Sequence, residues 1–340
     1  MNAYLVKIEN GGNLAYLIDG TSAKEFTTNR RLNQNKELEI HISTINEYEL
    51  EANSLPDIDR LNNYFQSNEM GKHRKLILDT WQKFDNLPGE FFPRIHRPIF
   101  NRVNIKQSFG PPGFSDTLVL LTEERLNDLQ GKLIIDNQNL EKNAIISFNQ
   151  VSILIRLLNR LFEFVYPDTR NLSTFSNEIR NILILACTEF ESQIKAILVE
   201  NSIVANSRHF NTTDYVKIKD HLHLDAFEIS INNFPELRDL SPFRGLEATN
   251  PTGSLQWYDS YNKTKHDREN EFYTASLINC VNAVLANVVM LAAQYGVTGT
   301  LWNSEITNFL SFSKKPSYPL KEYYIPNFQN HNWQKKNLIV

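Results

Sequence analysis

Two long segments of helical periodicity constrain the fold of this chain more than any other feature. Residues 151–166 (VSILIRLLNRLFEFVY) and 177–198 (NEIRNILILACTEFESQIKAIL) both place apolar residues three and four positions apart over many turns. In the second segment one apolar stripe is wide enough to face a core. The stripe contains Ile179, Ile182, Leu183, Ala186, Phe190, Ile194 and Ile197. The sequence therefore predicts a mainly helical bundle from about residue 146.

The helical pattern continues towards the C-terminus after two interruptions. Residues 221–231 (HLHLDAFEISI) alternate as a strand or extended arm does, and residues 233–245 (NFPELRDLSPFRG) read as a proline-containing loop. A long helical stretch is then predicted from about Leu255 to Tyr295, with a break between Arg268 and Phe272 and a stop at Gly296.

The first part of the chain has a different pattern. Apolar and β-branched runs separated by Gly, Asn and Asp predict a small sheet from Ala3 to about Leu50. Helical spacing of apolar residues follows between Pro56 and Asp85, in the segments IDRLNNYF and KLILDTWQKF. After a proline-rich loop, residues 117–137 read as strand, helix and strand. We predict an α+β fold with three parts: a mixed α/β region over 1–145, a helical domain over 146–296 and an aromatic, basic extension over 297–340.

Composition limits the functions that this chain can have. At 340 residues with a formal net charge of -4, it does not fit a protein that coats nucleic acid through many basic contacts. Cys187 and Cys280 lie within apolar helical patterns, which predicts buried thiols in a reducing compartment. No signal-peptide pattern opens the sequence, and the most apolar helix, Leu277 to Ala293, is short for a membrane span and carries three asparagines. We expect a soluble cytoplasmic protein without a membrane partner.

The segment WYDSYNKTKHDRENEF (257–272) holds the most concentrated chemistry in the sequence. On a helix, one face of this segment would carry five polar or aromatic side chains: Tyr258, Asn262, His266, Asn270 and Tyr273. Neighbouring faces carry charges at i,i+4 spacing, with Asp259, Lys263 and Asp267 in one series and Lys265 within reach of Glu269. Histidine titrates near neutral pH, so this face suits proton transfer beside a phosphate group.

Three sequence segments together resemble the HEPN superfamily of four-to-five-helix domains. They are NEIRNILILACTEFESQ in a long helix, SPFRG in a loop, and YNKTKHDR leading into an apolar helix, and the resemblance covers roughly residues 150–295. Many HEPN proteins of prokaryotic defence and toxin systems are metal-independent ribonucleases. The resemblance implies an RNA endonuclease without metal or cofactor, and pairing of two motif copies in a homodimer or with a HEPN-like partner.

The resemblance also assigns roles to residues. The family's histidine falls on His266 and its polar residue on Asn262, whereas its arginine position holds Tyr261. A cation is needed to stabilise charge that develops on the phosphorus centre. The candidates for it are Lys263, Lys265 and Arg268. Side chains that could orient the histidine are Glu178, Glu189, Tyr258 and Tyr261.

A second function remains open from the sequence alone. Asn262 and His266 could instead tie a helix end to the following loop in a non-catalytic HEPN-like module that binds a protein or nucleic-acid partner. An antitoxin or sensor protein would fit either function. The discriminating feature is whether a positive group lies near His266.

Other clusters in the sequence are read as structural. His221, His223 and Asp225 would share one face of an exposed strand, but no further ligand with fixed spacing accompanies them, so no metal site is predicted. The basic run 72–75 and the pair His96 and Arg97 are expected on solvated faces. The rings after Gly296 are expected to pack on the helices, with stacking on bases as the alternative.

Overall fold

The fold is α+β, with an N-terminal antiparallel sheet and a C-terminal helical bundle, as predicted. This computed structural model describes residues 1–7, 13–32, 38–67, 80–98, 138–301, 303–325 and 334–340. The strand, helix and strand expected over 117–137, the basic run 72–75, and the aromatic residues Trp302, Phe328 and Trp333 lie outside these ranges.

The N-terminal strands form an antiparallel sheet in the order β4-β3-β2-β1-β5. Its strands are β1 (Asn2–Lys7), β2 (Asn13–Asp19), β3 (Ser22–Leu32), β4 (Leu38–Glu49) and β5 (Gln82–Lys83). Asp19 pairs with Ser22 across a two-residue connection, and Gly20 takes a φ of 61° there. Such tight hairpins require positive φ, which glycine adopts without a steric penalty.

Both faces of the sheet are covered by apolar side chains. On one face, Tyr4 and Val6 pack against Leu61 and Phe65 of helix α1 (Asp57–Ser67). On the other face, Ala3 and Leu5 pack against Phe84 and Ile325. The helix predicted for KLILDTWQKF is wrong at its described end, since Gln82 and Lys83 extend the sheet beside β1. Pairing with the free edge of β1 outweighs the local helical spacing there.

The helical bundle contains the main apolar core. Its long helices are α2 (Gln138–Phe162), α3 (Asn177–Glu200), α5 (Gln256–His266) and α7 (Leu277–Tyr295). The Ser176 hydroxyl caps α3 by accepting a hydrogen bond from the Ile179 amide, and α7 ends at Gly296 with a φ of 84°. The predicted helices α2 and α3, and the predicted stop at Gly296, are confirmed.

Shorter elements connect and extend this bundle. They are β6 (Glu90–Phe91), α4 (Thr212–Tyr215), β7 (Glu228–Ile231), α6 (Arg268–Glu271), α8 (Val297–Leu301), α9 (Ser304–Phe309), β8 (Leu310–Lys314) and β9 (Gln334–Lys335). β7 pairs with β8 in an antiparallel pair, and β6 pairs with β9 in a parallel pair. Several apolar residues beyond Gly296, including Ile306, Phe309 and Leu310, belong to the helical core.

A chain of buried polar side chains runs between α3 and α7. The Gln193 amide donates to Asn287 (3.1 Å), and the Gln294 amide donates to Gln193 (3.0 Å). Arg94, from the segment after β6, donates to Gln294 (3.2 Å) and to the Glu200 carboxylate (2.6 Å). These bonds fix how the N-terminal segment sits on the bundle, because buried polar groups need partners.

Two helices have the length and apolarity of a membrane span. They are Lys142–Phe162 and Leu277–Tyr295, with mean hydropathies of 1.2 and 1.7. In the second helix 83% of the apolar window is buried inside the bundle, as is typical of a core helix. Such helices are weak evidence on membranes, so the expected lack of a membrane partner stays a prediction.

Candidate functional site

Helix α5 is held against α3 by its aromatic face. Trp257 and Tyr258 pack on Phe190 of α3, with ring centroids 5.2 and 5.8 Å apart, and the Trp257 indole donates to the Pro242 carbonyl (2.7 Å). Tyr261 is also buried. The opposite face of α5 consequently points away from the core and carries the polar residues of the motif.

The helix ends at His266. Asp267 leaves helical geometry, with φ -137° and ψ 68°, and its carboxylate accepts hydrogen bonds from the Asn270 amide and side chain. Aspartate in this role competes with helical backbone pairing and starts the next short helix, α6. The predicted break lies at Asp267, just before the expected range, since residues Arg268–Glu271 are helical. Asn270 and Tyr273 do not continue the face of Asn262 and His266, because the chain changes direction at Asp267.

His266 and Asn262 lie one turn apart on the outer face of α5. His266 is exposed and Asn262 is partly buried. Helical side chains lean towards the N-terminus, so the His266 ring leans towards Asn262. Among the described residues, neither side chain has a hydrogen-bond partner, so both groups are open to a ligand.

The two lysines of the motif both have partners. The Lys263 ammonium lies 2.8 Å from the Asp259 carboxylate, and that hydrogen bond raises the Lys263 pKa. The Lys265 ammonium donates to the Tyr261 hydroxyl (3.0 Å) and lies 5.0 Å from the centre of its ring. The hydrogen bond to Tyr261 is also the largest cause that raises the Lys265 pKa.

Two sequence expectations about these charges have different outcomes. The pair of Asp259 and Lys263 is confirmed. The pair of Lys265 and Glu269 is wrong, because Lys265 turns back over the Tyr261 ring, where a cation–π contact adds to the hydrogen bond. Arg268, on α6, is exposed and forms no ion pair with any residue that the structure describes. It remains a candidate for the cation.

Tyr261, at the position where the predicted HEPN resemblance expects an arginine, is turned into the core. Its side chain is 2% exposed, and its ring packs against Tyr258 with centroids 5.6 Å apart. The Tyr261 ring belongs to the apolar core of the helical bundle, where a charged guanidinium would need a partner.

The glutamates expected to orient His266 do not contact it. Glu178 is exposed, and the Glu189 carboxylate accepts from Gln193 (3.1 Å), with its pKa raised by burial. Glu191 instead accepts a hydrogen bond from the Tyr258 hydroxyl (2.7 Å). Sequence reasoning missed this contact, although Glu191 follows the buried Phe190 and so stands at the edge of the apolar stripe.

The histidine pair between α4 and β7 is placed differently from the prediction. His223 adopts a left-handed backbone (φ 50°), and a 3-10 turn, Leu224–Ala226, follows it. The predicted exposed strand is therefore wrong for His221, His223 and Asp225, and β7 begins only at Glu228. No group of three or more His, Cys, Asp or Glu side chains in the described part of the chain could hold a metal ion.

His223 belongs to a polar cluster that anchors the C-terminal segment. Its Nε2 lies 2.8 Å from Glu322 Oε2, and Arg97 Nε lies 3.1 Å from the same oxygen. The Tyr318 ring packs edge-on against His223 at 5.1 Å. His96 and Arg97 are buried, so the expected solvated face is wrong for them. Folding back of the C-terminal segment covers both residues.

Both cysteines are buried, as predicted. Cys187 lies on α3 and Cys280 on α7, and neither has measurable exposure. Burial raises the pKa of each thiol. Neither sulfur is therefore placed to act as a nucleophile.

Comparisons with known proteins add no family to this picture. The chain matches no protein-family model, no curated protein and no solved structure. The resemblance to HEPN domains therefore stays a prediction from the sequence segments that carry it.

Proposed function

We propose that this protein is a metal-independent RNA endonuclease of HEPN type, in which His266 transfers the proton and Asn262 positions the phosphate. One observation carries the proposal. The exposed His266 imidazole and the Asn262 amide lie one turn apart at the C-terminal end of α5, and neither has a hydrogen-bond partner among the described residues. A structural role for the two side chains would predict hydrogen bonds to the helix end or the following loop.

The reaction that suits these groups is attack by the ribose 2′-hydroxyl. His266 takes the proton from this hydroxyl, whose oxygen forms a bond to phosphorus. The bond between phosphorus and the 5′-oxygen breaks, and the leaving oxygen takes up a proton from water or from a second imidazole. The products are a 2′,3′-cyclic phosphate and a free 5′-hydroxyl. No metal or cofactor takes part in the step.

The charge balance around His266 favours a substrate that is held by a few short-range contacts. Between Trp257 and Phe272, four acidic residues accompany three basic ones, so long-range attraction of a polyanion is weak. Exposed rings at Phe175 (47%) and Tyr273 (59%) lie on the segments flanking α3 and α6. Such rings can stack on unpaired bases, which favours single-stranded RNA.

A single copy of the chain presents one imidazole on an open surface. By resemblance, a homodimer or a HEPN-like partner would bring a second motif opposite the first and provide both the base and the acid. The setting that fits this activity is a defence or toxin system acting on RNA in the cytoplasm, with an antitoxin or sensor protein as a regulator. Light scattering after size exclusion tests the pairing, and a monomer at micromolar concentration would contradict it.

Incubation of purified protein with total RNA, in the presence of a metal chelator, tests the activity. We expect wild-type protein to produce fragments that end in 2′,3′-cyclic phosphate, and His266→Ala to lose cleavage by roughly a hundredfold or more. The matched control is His209→Ala, because His209 is also exposed but lies outside the motif. DNA of the same sequence should not be cut, because it lacks the 2′-hydroxyl. Equal cleavage by wild type and His266→Ala would remove His266 from the reaction.

A binding module is the second function that an observation favours. Exposed apolar side chains occur on the outer faces of α2 and α3, with Ile145 52%, Leu185 52% and Val199 61% exposed. Exposed apolar side chains on outer helix faces are features of an interaction surface. Under this function, purified protein would leave RNA intact, and partner binding would be lost in Leu185→Asp while His266→Ala binds as the wild type does.

A further inference from the structure

The C-terminal extension, residues 297–340, has a charge opposite to that of the rest of the chain. It contains five lysines, no arginine and only two acidic residues, Glu305 and Glu322, so its formal charge is +3 with histidine neutral. Because the whole chain carries -4, the preceding 296 residues carry -7. Both glutamates pair with arginines outside the extension, Glu305 with Arg156 (2.7 Å) and Glu322 with Arg97 (3.1 Å). A basic segment on an otherwise acidic protein favours a local contact with a polyanion.

Backbone pairing gathers three of these lysines beside the segment that joins β5 to β6. The Lys321 carbonyl accepts a hydrogen bond from the Asp85 amide (2.8 Å), and the Lys336 ammonium donates to the Asp85 carbonyl (2.7 Å). Lys335 lies in β9, which pairs with β6. A fourth lysine, Lys83 of β5, lies two residues before Asp85. We call these four residues the lysine cluster: Lys83, Lys321, Lys335 and Lys336.

The lysine cluster has an excess of positive charge that is open to solvent. The Lys336 ammonium lies 3.1 Å from the Glu90 carboxylate. The other three lysines are exposed and form no ion pair with any residue that the structure describes. The segment from Gln82 to Phe91 contributes two carboxylates, those of Asp85 and Glu90. Four ammonium groups beside two carboxylates leave two positive charges without a counter-charge.

The lysine cluster is held in place by packing and does not depend on a free tail. The Lys336 ammonium lies 5.7 Å from the centre of the Phe92 ring. At the other end of the cluster, close to Lys321 in the chain, Tyr324 is fully buried and its hydroxyl donates to the Ile95 carbonyl (2.8 Å). These contacts fix the positions of the lysine backbones before a ligand arrives. Less conformational entropy is then lost on binding.

We infer that the lysine cluster binds the phosphate backbone of a nucleic acid, as a contact separate from the His266 site. The inference deepens the proposed function and rests on it for the identity of the strand, which is the RNA substrate. Between Trp257 and Phe272, around His266, acidic residues outnumber basic ones, so that surface attracts a polyanion weakly. The lysine cluster supplies the attraction, because ammonium groups that contact phosphates release condensed counterions.

Binding of a fluorescein-labelled, single-stranded RNA, followed by anisotropy, tests the inference. The full chain carries His266→Ala in every sample, so that the probe stays intact. We expect Lys321→Gln/Lys335→Gln to weaken binding about 25-fold at about 0.1 M KCl, since each lost phosphate contact costs roughly fivefold there. A plot of log affinity against log salt concentration should become shallower by about 1.4. The matched control is Lys142→Gln/Arg160→Gln, which removes two exposed positive charges from α2 and should leave both quantities unchanged.

Two results of the binding experiment would overturn the inference. One is an affinity of Lys321→Gln/Lys335→Gln within about threefold of the control variant. The other is tighter binding of polyglutamate or of phosphatidylserine vesicles than of RNA at the same salt concentration, since the partner would then be an acidic protein or a membrane. Thermal unfolding should be equal for the two double variants, because all four substituted side chains are exposed.

Cleavage kinetics separate this inference from the proposed function. If wild-type protein cuts RNA, Lys321→Gln/Lys335→Gln should raise KM and leave kcat unchanged, because the contact contributes equally to the ground state and the transition state. An unchanged KM, or a loss confined to kcat, would contradict a separate backbone contact. If wild-type protein cuts no RNA and the double variant still loses RNA binding as expected, the proposed function fails while the lysine cluster stands as a nucleic-acid contact.

Discussion

Replacement of Arg94 by alanine should destabilise the protein strongly, because this residue joins the N-terminal segment to the core of the helical bundle. Its guanidinium donates to Glu200 (2.6 Å), Gln294 (3.2 Å) and Tyr295 (3.3 Å). The Arg94 side chain is 5% exposed and that of Glu200 is 22% exposed, so the ion pair is mostly screened from water.

The expected loss in free energy of unfolding follows from the Glu200 carboxylate, which the substitution leaves without its partner. Breaking a buried ion pair on one side costs about 3–5 kcal/mol, since the remaining charge stays partly buried without its partner. Partial exposure of Glu200 moves the expected cost to the lower end, about 3 kcal/mol. Arg94 also has a φ of 56°, a conformation that costs a non-glycine residue about 1 kcal/mol. Arg94→Gly should therefore be about 1 kcal/mol less destabilised than Arg94→Ala.

Urea unfolding followed by circular dichroism measures both variants. The matched control is Arg170→Ala, because Arg170 pairs with Asp168 on the surface and its removal should leave the unfolding midpoint unchanged. In the double variant Arg94→Ala/Glu200→Ala, the cost should be less than the sum of the single changes. If Arg94→Ala lowers the free energy of unfolding by less than about 1 kcal/mol, the ion pair of Arg94 with Glu200 contributes little to the stability of the fold.

Two further predictions concern pH and thiol chemistry. Burial alone would raise the pKa of Glu322, but the hydrogen bond from His223 and the charge of Arg97 outweigh it and hold the pKa below its usual value of 4.5. The ionised carboxylate therefore stabilises the fold above pH 4.5, and urea unfolding should show Glu322→Gln destabilised by about 1–2 kcal/mol at neutral pH. That difference should shrink as the pH falls through the folded-state pKa, and a difference that grows on acidification would contradict the assignment. Neither Cys187 nor Cys280 should react with iodoacetamide until urea unfolds the protein, and mass spectrometry of labelled native protein would reveal any exception.

The helical half could be predicted well because its signals are local. The apolar stripe of α3 and the stop at Gly296 follow from spacing and from glycine geometry, both of which are visible in the sequence. The end of α5 near Arg268 was also predictable, since polar and charged residues interrupt the apolar pattern there.

Errors arose where distant segments decide the conformation. Gln82 and Lys83 join the sheet because β1 offers them an open edge, and His223 is fixed by Glu322 from about a hundred positions away. Such contacts leave no trace in local periodicity. At the candidate site, the sequence placed His266 and Asn262 on one face, but it could not show that Lys265 turns onto Tyr261. The partner of each charge depends on side-chain packing between helices.

The packing of Ile325 against Ala3 and Leu5 has a consequence for biosynthesis. Ribosomes add about 5–20 residues per second, so the covering segment emerges roughly 16–64 s after the first strand. During this interval one apolar face of the nascent sheet has no Ile325 to cover it, and exposed strands of this kind recruit chaperones or aggregate. Emergence of Ile325, rather than formation of the hairpins, is then the event that allows this face of the sheet to be covered.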